Sequence, residues 1–414
     1  MRIKIGDACE FINGGSWTES DYRECGLPVL KVSNFNSSGF TINDISFLNS
    51  ELGNKYEKNK LKINDIIIAT VGSHPSLVNS AAGRTIKVNS NVVNYYLNQN
   101  AICLRVNDEE NINQIYLYYL TETTAFRNFI QQRGKGAANQ MRIPISGIKD
   151  FSWDFPPLET QKKIASILSG YDDLIENNLK RIKILEEMAQ QTYEEWFVRM
   201  RFPGHDASRA SASVNAETGL PEGWEKGTLN AITGYLSGYA FKSAEFKDEG
   251  NGVIRIKNIG SNTIDLNDVA YIDDAYANKQ SKFLLNAGDL LIAMTGATIG
   301  KVGIMPMSEK RYYLNQRVGK FVTDNTAFLN CFFNSTYGIN QVVNIAGGAA
   351  QPNISAQQIL DIELNVPEKS ILKSFSENFN KNIQIIINLQ SQNQRLREAR
   401  DILLPRLMMG MIEV

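Results

Sequence analysis

One run, Gln131-Gln132-Arg133-Gly134-Lys135-Gly136-Ala137-Ala138-Asn139-Gln140-Met141-Arg142, gathers basic and carboxamide side chains between glycines. The chemistry on offer there is hydrogen bonding rather than bond making. Arginine presents a planar fork that matches guanine, and Asn or Gln matches adenine, in the major groove of a duplex. Arg133, Lys135, Asn139, Gln140 and Arg142 are therefore candidate contacts. A counterpart running from Asn344 to Asn353 holds no basic residue, which leaves Gln351 and Asn353. Around the loop after an apolar run stand Thr70, Ser73, His74 and Arg84, matched by Thr295, Thr298 and Lys301. Lys31, Ser33 and Asn34, with Arg255, Lys257 and Asn258, occupy matching strand positions in the two copies and could project from one edge. The bland alternative is that these are solvated turns and surface charges whose glycines serve backbone geometry.

Residues for breaking covalent bonds do not stand out. Cys9, Cys25, Cys103 and Cys331 are scattered, and His74 and His205 lie far apart, so no metal site is expected and the thiols read as buried or incidental in a reducing compartment. No GxxxxGK[ST] phosphate loop is present. An adenine methyltransferase needs a glycine-rich cofactor loop and an Asn-Pro-Pro-aromatic loop. Asp154-Phe155-Pro156-Pro157-Leu158 lacks both the polar residue directly before the prolines and the aromatic after them. The expectation is a chain that is not an enzyme and holds no cofactor of its own.

The elements that must position these loops come in duplicate. Val29-Leu30-Lys31-Val32-Ser33-Asn34-Phe35 reappears 224 positions later as Val253-Ile254-Arg255-Ile256-Lys257-Asn258-Ile259. Asn64-Asp65-Ile66-Ile67-Ile68-Ala69 and Gly72 recur at the same offset as Gly288-Asp289-Leu290-Leu291-Ile292-Ala293 and Gly296. Leu97-Asn98-Gln99 matches Leu314-Asn315-Gln316 at 217, and Gln140, Ile143, Ile148 and Pro156 match Gln351, Ile354, Ile359 and Pro367 at 211. Within each copy PVLKVSNF and GVIRIKNI alternate as half-buried strands, IIIATV and LLIAMT read as buried strands, and residues 111–132 suit one or two amphipathic helices.

Each copy ends in a long helix, the first over 156–197. Its heptad seam runs Ile164, Leu168, Tyr171, Ile175, Asn178, Ile182, Leu185, Ala189, Thr192, Trp196. The second runs Phe375, Phe379, Asn382, Ile386, Leu389, Asn393, Leu396, Arg400, Leu403, Leu407, with Pro405 expected to end or kink it. About 40 residues at ~1.5 Å each make a rod of roughly 60 Å, longer than one ~150-residue domain needs inside its core. The two helices are expected to pair, with the seam asparagines fixing register. The stretch FPGHDASRASASVNAETGLPEGW between the copies reads as a flexible linker, and the pairing as antiparallel, which makes a dumb-bell.

The fold expected is thus α+β: two mixed α/β domains in internal repeat, with two long helices forming an antiparallel coiled coil of pseudo-twofold symmetry. The expected boundaries are 1–155, the central helix 156–199, a linker 200–222, the second domain 223–366, and the last helix and tail 367–414. Length agrees, since 414 residues exceed the roughly 250–300 at which one core stops growing. No stretch approaches the ~18 apolar residues of a membrane span and MRIKIGDACEF has no apolar signal core, so a cytoplasmic location with no membrane partner is expected. Residues 1–155 carry 16 basic and 15 acidic side chains, and 223–366 carry 12 and 13. Heads so nearly neutral predict weak binding to DNA by the isolated chain and strong binding once partners clamp the duplex.

PPLETQKKIASIL at 156–168 resembles the motif that opens the central helix in specificity subunits of type I restriction–modification systems, and LPEGWE at 220–225 is similar to the phrase opening their second target-recognition domain. The resemblance covers essentially the whole chain. It implies a non-catalytic subunit that reads a split, double-stranded DNA target with two domains, the helices setting the spacer. It also implies two methyltransferase subunits and restriction/translocase subunits as partners, which would carry S-adenosylmethionine, ATP and Mg. The second copy departs from the motif, reading VPEKSILKSF without the Gln-Lys-Lys run. The competing reading is a structural coiled-coil adaptor with two protein-binding heads and no DNA.

Overall fold

Continuous apolar runs become central strands, since only a strand buried on both faces can hide every side chain. In the computed structural model of the chain, Ile66–Ala69 and Leu290–Ala293 are buried at every position. The structure describes residues 1–36, 39–41, 44–73, 81–137, 140–206, 214–260, 262–347 and 353–414. They form two units, 1–173 with 397–414, and 174–396. Among the described residues no helix is long and apolar enough to cross a membrane.

In the first unit Ile66–Ala69 lies between Thr85–Lys87 and Ala101–Val106, and Cys9–Asn13 completes an antiparallel four-stranded sheet. A second sheet orders Tyr96–Leu97, Leu27–Leu30, Ser46–Leu48 and Tyr22–Arg23. Helices Gln114–Glu122 and Thr124–Gln131 cover the first sheet and break at Thr123. That hydroxyl donates to the Leu120 carbonyl at 2.7 Å and accepts the Phe126 N–H, ending one helix while capping the next.

The second unit repeats this. Leu290–Ala293 sits mid-sheet, and helices Thr326–Asn334 and Thr336–Ala346 break at Ser335, whose hydroxyl donates to the Phe332 carbonyl at 2.6 Å and accepts the Gly338 N–H. Its other sheet orders Ala270–Ile272, Asn251–Ile254, Tyr312–Leu314 and Leu284–Leu285.

The alternating runs are shorter strands than their pattern implies. They stop at Leu30 and Ile254, and 3-10 turns follow at Val32–Asn34 and Ile256–Asn258. The cause is one asparagine in each, whose side-chain oxygen accepts the N–H of Lys31 at 2.9 Å or of Arg255 at 3.0 Å and so offers the backbone an alternative to the ladder.

The long helices are Leu158–Tyr193, extended by a π turn over Glu194–Val198, and Lys369–Met408. Pro405 does not end the second, which continues through Met408. So near a terminus, only one hydrogen bond of the ladder is forfeited. In the first unit Ile164 and Leu168 are buried in one core with Leu407 and Met408, and Leu403 and Leu404 pack against it. There Asp172 accepts from Arg400 Nη1 at 2.6 Å and from the Tyr119 hydroxyl at 2.6 Å.

In the second unit Ile182 joins Ile386 and Leu389, with Leu185 packed beside them, and the Phe379 ring lies tilted against Phe375 at 4.6 Å between centroids. Ile175 is buried and Leu396 half-buried. Asn178 Nδ2 donates to Asn393 Oδ1 at 2.9 Å, both residues being buried. Within each unit, numbers rising along one helix meet numbers falling along the other, so the pairing is antiparallel. In the stretch whose composition reads as a linker, Arg201–Phe202 pairs with His205–Asp206, Phe202 stacks on Trp224 at 5.4 Å, and Leu220 is buried.

The Asn178–Asn393 pair is incompletely satisfied, because Asn393 Nδ2 has no partner among the described residues. Asn178→Leu strands the second amide entirely and is expected to cost about 1–3 kcal/mol. Asn178→Leu with Asn393→Leu removes both polar groups and is expected to be neutral or stabilising. Urea unfolding of the singles and the double as a cycle decides it; a double variant as unstable as the singles together sinks this account.

Candidate nucleic-acid interface

The glycine-rich run of the first unit is a hairpin rather than an open loop. Lys135–Ala137 pairs with Gln140–Arg142, which in turn pairs with Val71–Gly72, so the structure brings the 131–142 run against the 70–73 segment. Lys135 stands directly opposite Arg142, and both are exposed. No carboxylate lies within ion-pairing distance of either among the described residues. Like charges facing across a ladder repel, and an anion laid over them relieves the repulsion.

The other first-unit candidates separate by burial. Arg133 lies over the Phe129 ring at 3.5 Å and Nη1 donates to the Phe129 carbonyl at 3.1 Å, which leaves it exposed but oriented. Ser73 follows the Val71–Gly72 strand and is half-buried. Arg84 donates to the Phe35 carbonyl at 3.0 Å, and burial holds its guanidinium below the usual arginine range. Lys31 Nζ donates to Ser46 Oγ at 2.8 Å and lies over Tyr22, while Ser33 is exposed. Thr70 is buried, its hydroxyl donating to the Asn100 carbonyl at 3.0 Å. Asn34 is buried as the closer of its turn. Both side chains are thus engaged inside the unit. His74, Asn139 and Gln351 lie outside the described residues, and Gln140 is placed by its backbone alone.

The second unit rebuilds the same frame bond by bond. In the first, Thr70 N–H donates to the Asn100 carbonyl at 2.9 Å and Ile143 N–H to the Thr70 carbonyl at 2.8 Å. In the second, Met294 N–H donates to the Arg317 carbonyl at 3.0 Å and Ile354 N–H to the Met294 carbonyl at 2.9 Å. Gly83 and Gly300, at φ +78 and +77, both donate at 2.8 Å to the last strand residue, Ala69 or Ala293. Arg84 therefore corresponds to Lys301, which is exposed, and Thr70 to Met294 rather than to its neighbour Thr295. The seven residues by which the copies differ here fall between Gly72 and Gly83.

Thr295 is bridged to Asn353, and Arg317 Nη1 donates to Asn353 Oδ1 at 3.0 Å. The Thr298 hydroxyl donates to the Ile256 carbonyl at 3.1 Å. Arg255 lies over Phe246, and Lys257 is paired with Asp268 at 2.6 Å. Asn258 is buried, donates to the carbonyls of Asp265 and Asp268, and closes its turn as Asn34 does. Arg317 and Asn100 escape a reading of the sequence, although each directly follows a Leu-Asn-Gln that marks the repeat.

The type I restriction modification DNA specificity domain model matches residues 1–187 and again 221–394. The chain belongs to that family. As a type I specificity subunit its function is recognition of a DNA target, and its two domains are the repeat already described. Among its relatives, the type I restriction enzyme MjaVIII specificity subunit of Methanocaldococcus jannaschii is 27% identical over 311 residues, 73% of this chain and 71% of the relative. The HindI specificity subunit of Haemophilus influenzae is 23% identical, covering 91% of this chain and 94% of its own. The crystal structure of a type I S subunit from M. genitalium matches with a TM-score of 0.59 at 15% identity, over 98% of this chain and 95% of that one, and shows the fold. The motif at 156–168 thus opens the first long helix of a specificity subunit.

Proposed function

We propose that this specificity subunit reads a bipartite, asymmetric duplex target, one half with each unit, and directs adenine methylation and restriction carried out by other subunits. The observation that carries the reading is one backbone frame, repeated bond for bond, dressed with different side chains: a Lys135–Arg142 hairpin in one unit and an Arg317–Asn353 couple in the other. A frame built twice supports two docking sites of one geometry, and unlike side chains support unlike half-sites. Contacts in the first unit are assigned to Arg133, Lys135, Arg142 and Ser33, and in the second to Lys301 and Thr295, with Gln140, Gln351, Asn139 and His74 as further candidates.

The partners are two methyltransferase subunits and restriction/translocase subunits, on which S-adenosylmethionine, ATP and Mg act; this chain supplies no catalytic group. Leu174, Ile184 and Met188 leave large apolar side chains exposed on the first long helix, a face suited to partner helices. Sequencing methylated adenine in cells with and without the chain tests the reading. One bipartite motif with unlike halves is expected to vanish on deletion. An unchanged methylome with the methyltransferase expressed would show that the subunit does not direct methylation.

A further inference from the structure

We infer that Arg317 reads a guanine in the half-site of the second unit, with Asn353 as its positioning residue, and that Asn100 fills the same reading slot in the first unit. This rests on the bipartite reading above and goes beyond it by naming the slot.

The slot is defined by backbone. The carbonyls of Asn100 and Arg317 accept equivalent N–H groups, those of Thr70 at 2.9 Å and Met294 at 3.0 Å, so the two residues start from matched positions. What differs is the side chain. Asn100 is half-buried and its carboxamide makes no hydrogen bond among the described residues. Arg317 is exposed, and Asn353 Oδ1 holds its Nη1. That contact orients the guanidinium and leaves the Nε and Nη2 donors, an edge whose spacing matches guanine O6 and N7.

Charge points the same way. Arg2, Lys4, Lys60, Arg105, Arg127, Lys257, Arg311 and Lys320 each sit within 4.0 Å of a carboxylate. Arg317 has none among the described residues, its fixing partner being a neutral amide. A fixed arginine without a counter-charge is pre-organised for an outside acceptor. A phosphate contact needs only positive charge and carries no sequence information. A slot that is Asn in one unit and Arg in the other, inside an unchanged backbone frame, is where unlike half-sites are told apart.

The test uses the full chain co-expressed with its methyltransferase subunits, read by methylome sequencing. The wild-type motif is expected to contain a G·C pair at one fixed position of one half. Arg317→Asn is expected to relax that position alone, lowering discrimination there about 10- to 100-fold. Arg317→Lys keeps the charge without the fork and is expected to relax it less, and Asn353→Ala to relax the same position. A motif unchanged in every position, with methylation merely slower, overturns the inference and makes Arg317 a backbone-phosphate or structural residue. Should Arg317→Asn fail to assemble, Asn100→Arg decides instead: it is expected to shift one position of the other half toward guanine, and an unaltered motif overturns the slot. A wild-type complex that methylates no bipartite site sinks the function proposed above and is distinguishable from all of these.

Discussion

Reversing both charges of the first-unit hairpin, Lys135→Glu with Arg142→Glu, is expected to weaken binding of the assembled complex to target DNA by about 10³-fold near 0.1 M salt. The two side chains face each other across paired strands, exposed and, among the described residues, without carboxylate partners. Each reversal changes the local charge by two, and a surface charge near a phosphate is worth about 1 kcal/mol. Four such changes amount to about 4 kcal/mol, or three factors of ten. Salt supplies a second readout. Each phosphate neutralised contributes a slope of about 0.9 to the fall of log affinity with log salt, so Lys135→Ala with Arg142→Ala is expected to flatten the slope by nearly 2. Fluorescence anisotropy across a salt series measures both. Affinity and slope that match the wild type would place the hairpin off the DNA.

Asp172→Ala is expected to destabilise the first unit by about 2–4 kcal/mol. Asp172 is the shared acceptor of Arg400 and Tyr119, at 2.6 Å each, and its side chain is 19% exposed against 25% for Arg400. Removing the acceptor leaves Nη1 of a largely desolvated guanidinium and a phenol hydroxyl without it. Arg400 retains a contact to Asp401 and some water, which keeps the loss below that of a fully buried pair. Asp172→Asn, which still accepts one bond, is expected to lose about half as much. Urea unfolding of the full chain separates these values; equal stability of the alanine variant and the wild type would show that the network is cosmetic.

Much of this architecture is written in periodicity. Heptads marked Asn178 and Asn393 as seam residues, and they are hydrogen-bonded to each other. Continuous apolar runs marked the central strands, because burial on two faces leaves no room for polar alternation. What periodicity does not carry is a side chain's direction. Asn34 and Asn258 sit among exposed-looking polar residues, yet each turns inward to close a 3-10 turn, a choice made by local hydrogen bonding that no hydrophobic pattern records. The 131–142 run looked like a loop because its glycines and amides hide a strand pairing set by Val71 and Gly72, which are some sixty residues away in sequence. Arg317 carried no signal until its carbonyl and that of Asn100 were seen to do the same task.

The core of the first unit includes Leu407 and Met408, while the second is the continuous stretch 174–396. Order of synthesis and order of completion are therefore opposed. The N-terminal residues leave the ribosome first but wait for more than 200 further residues before their last core side chains exist, on the order of 10 to 50 s at ~5–20 residues per second. The later unit closes sooner. During that interval the nascent chain exposes an apolar helix face and an unfinished core.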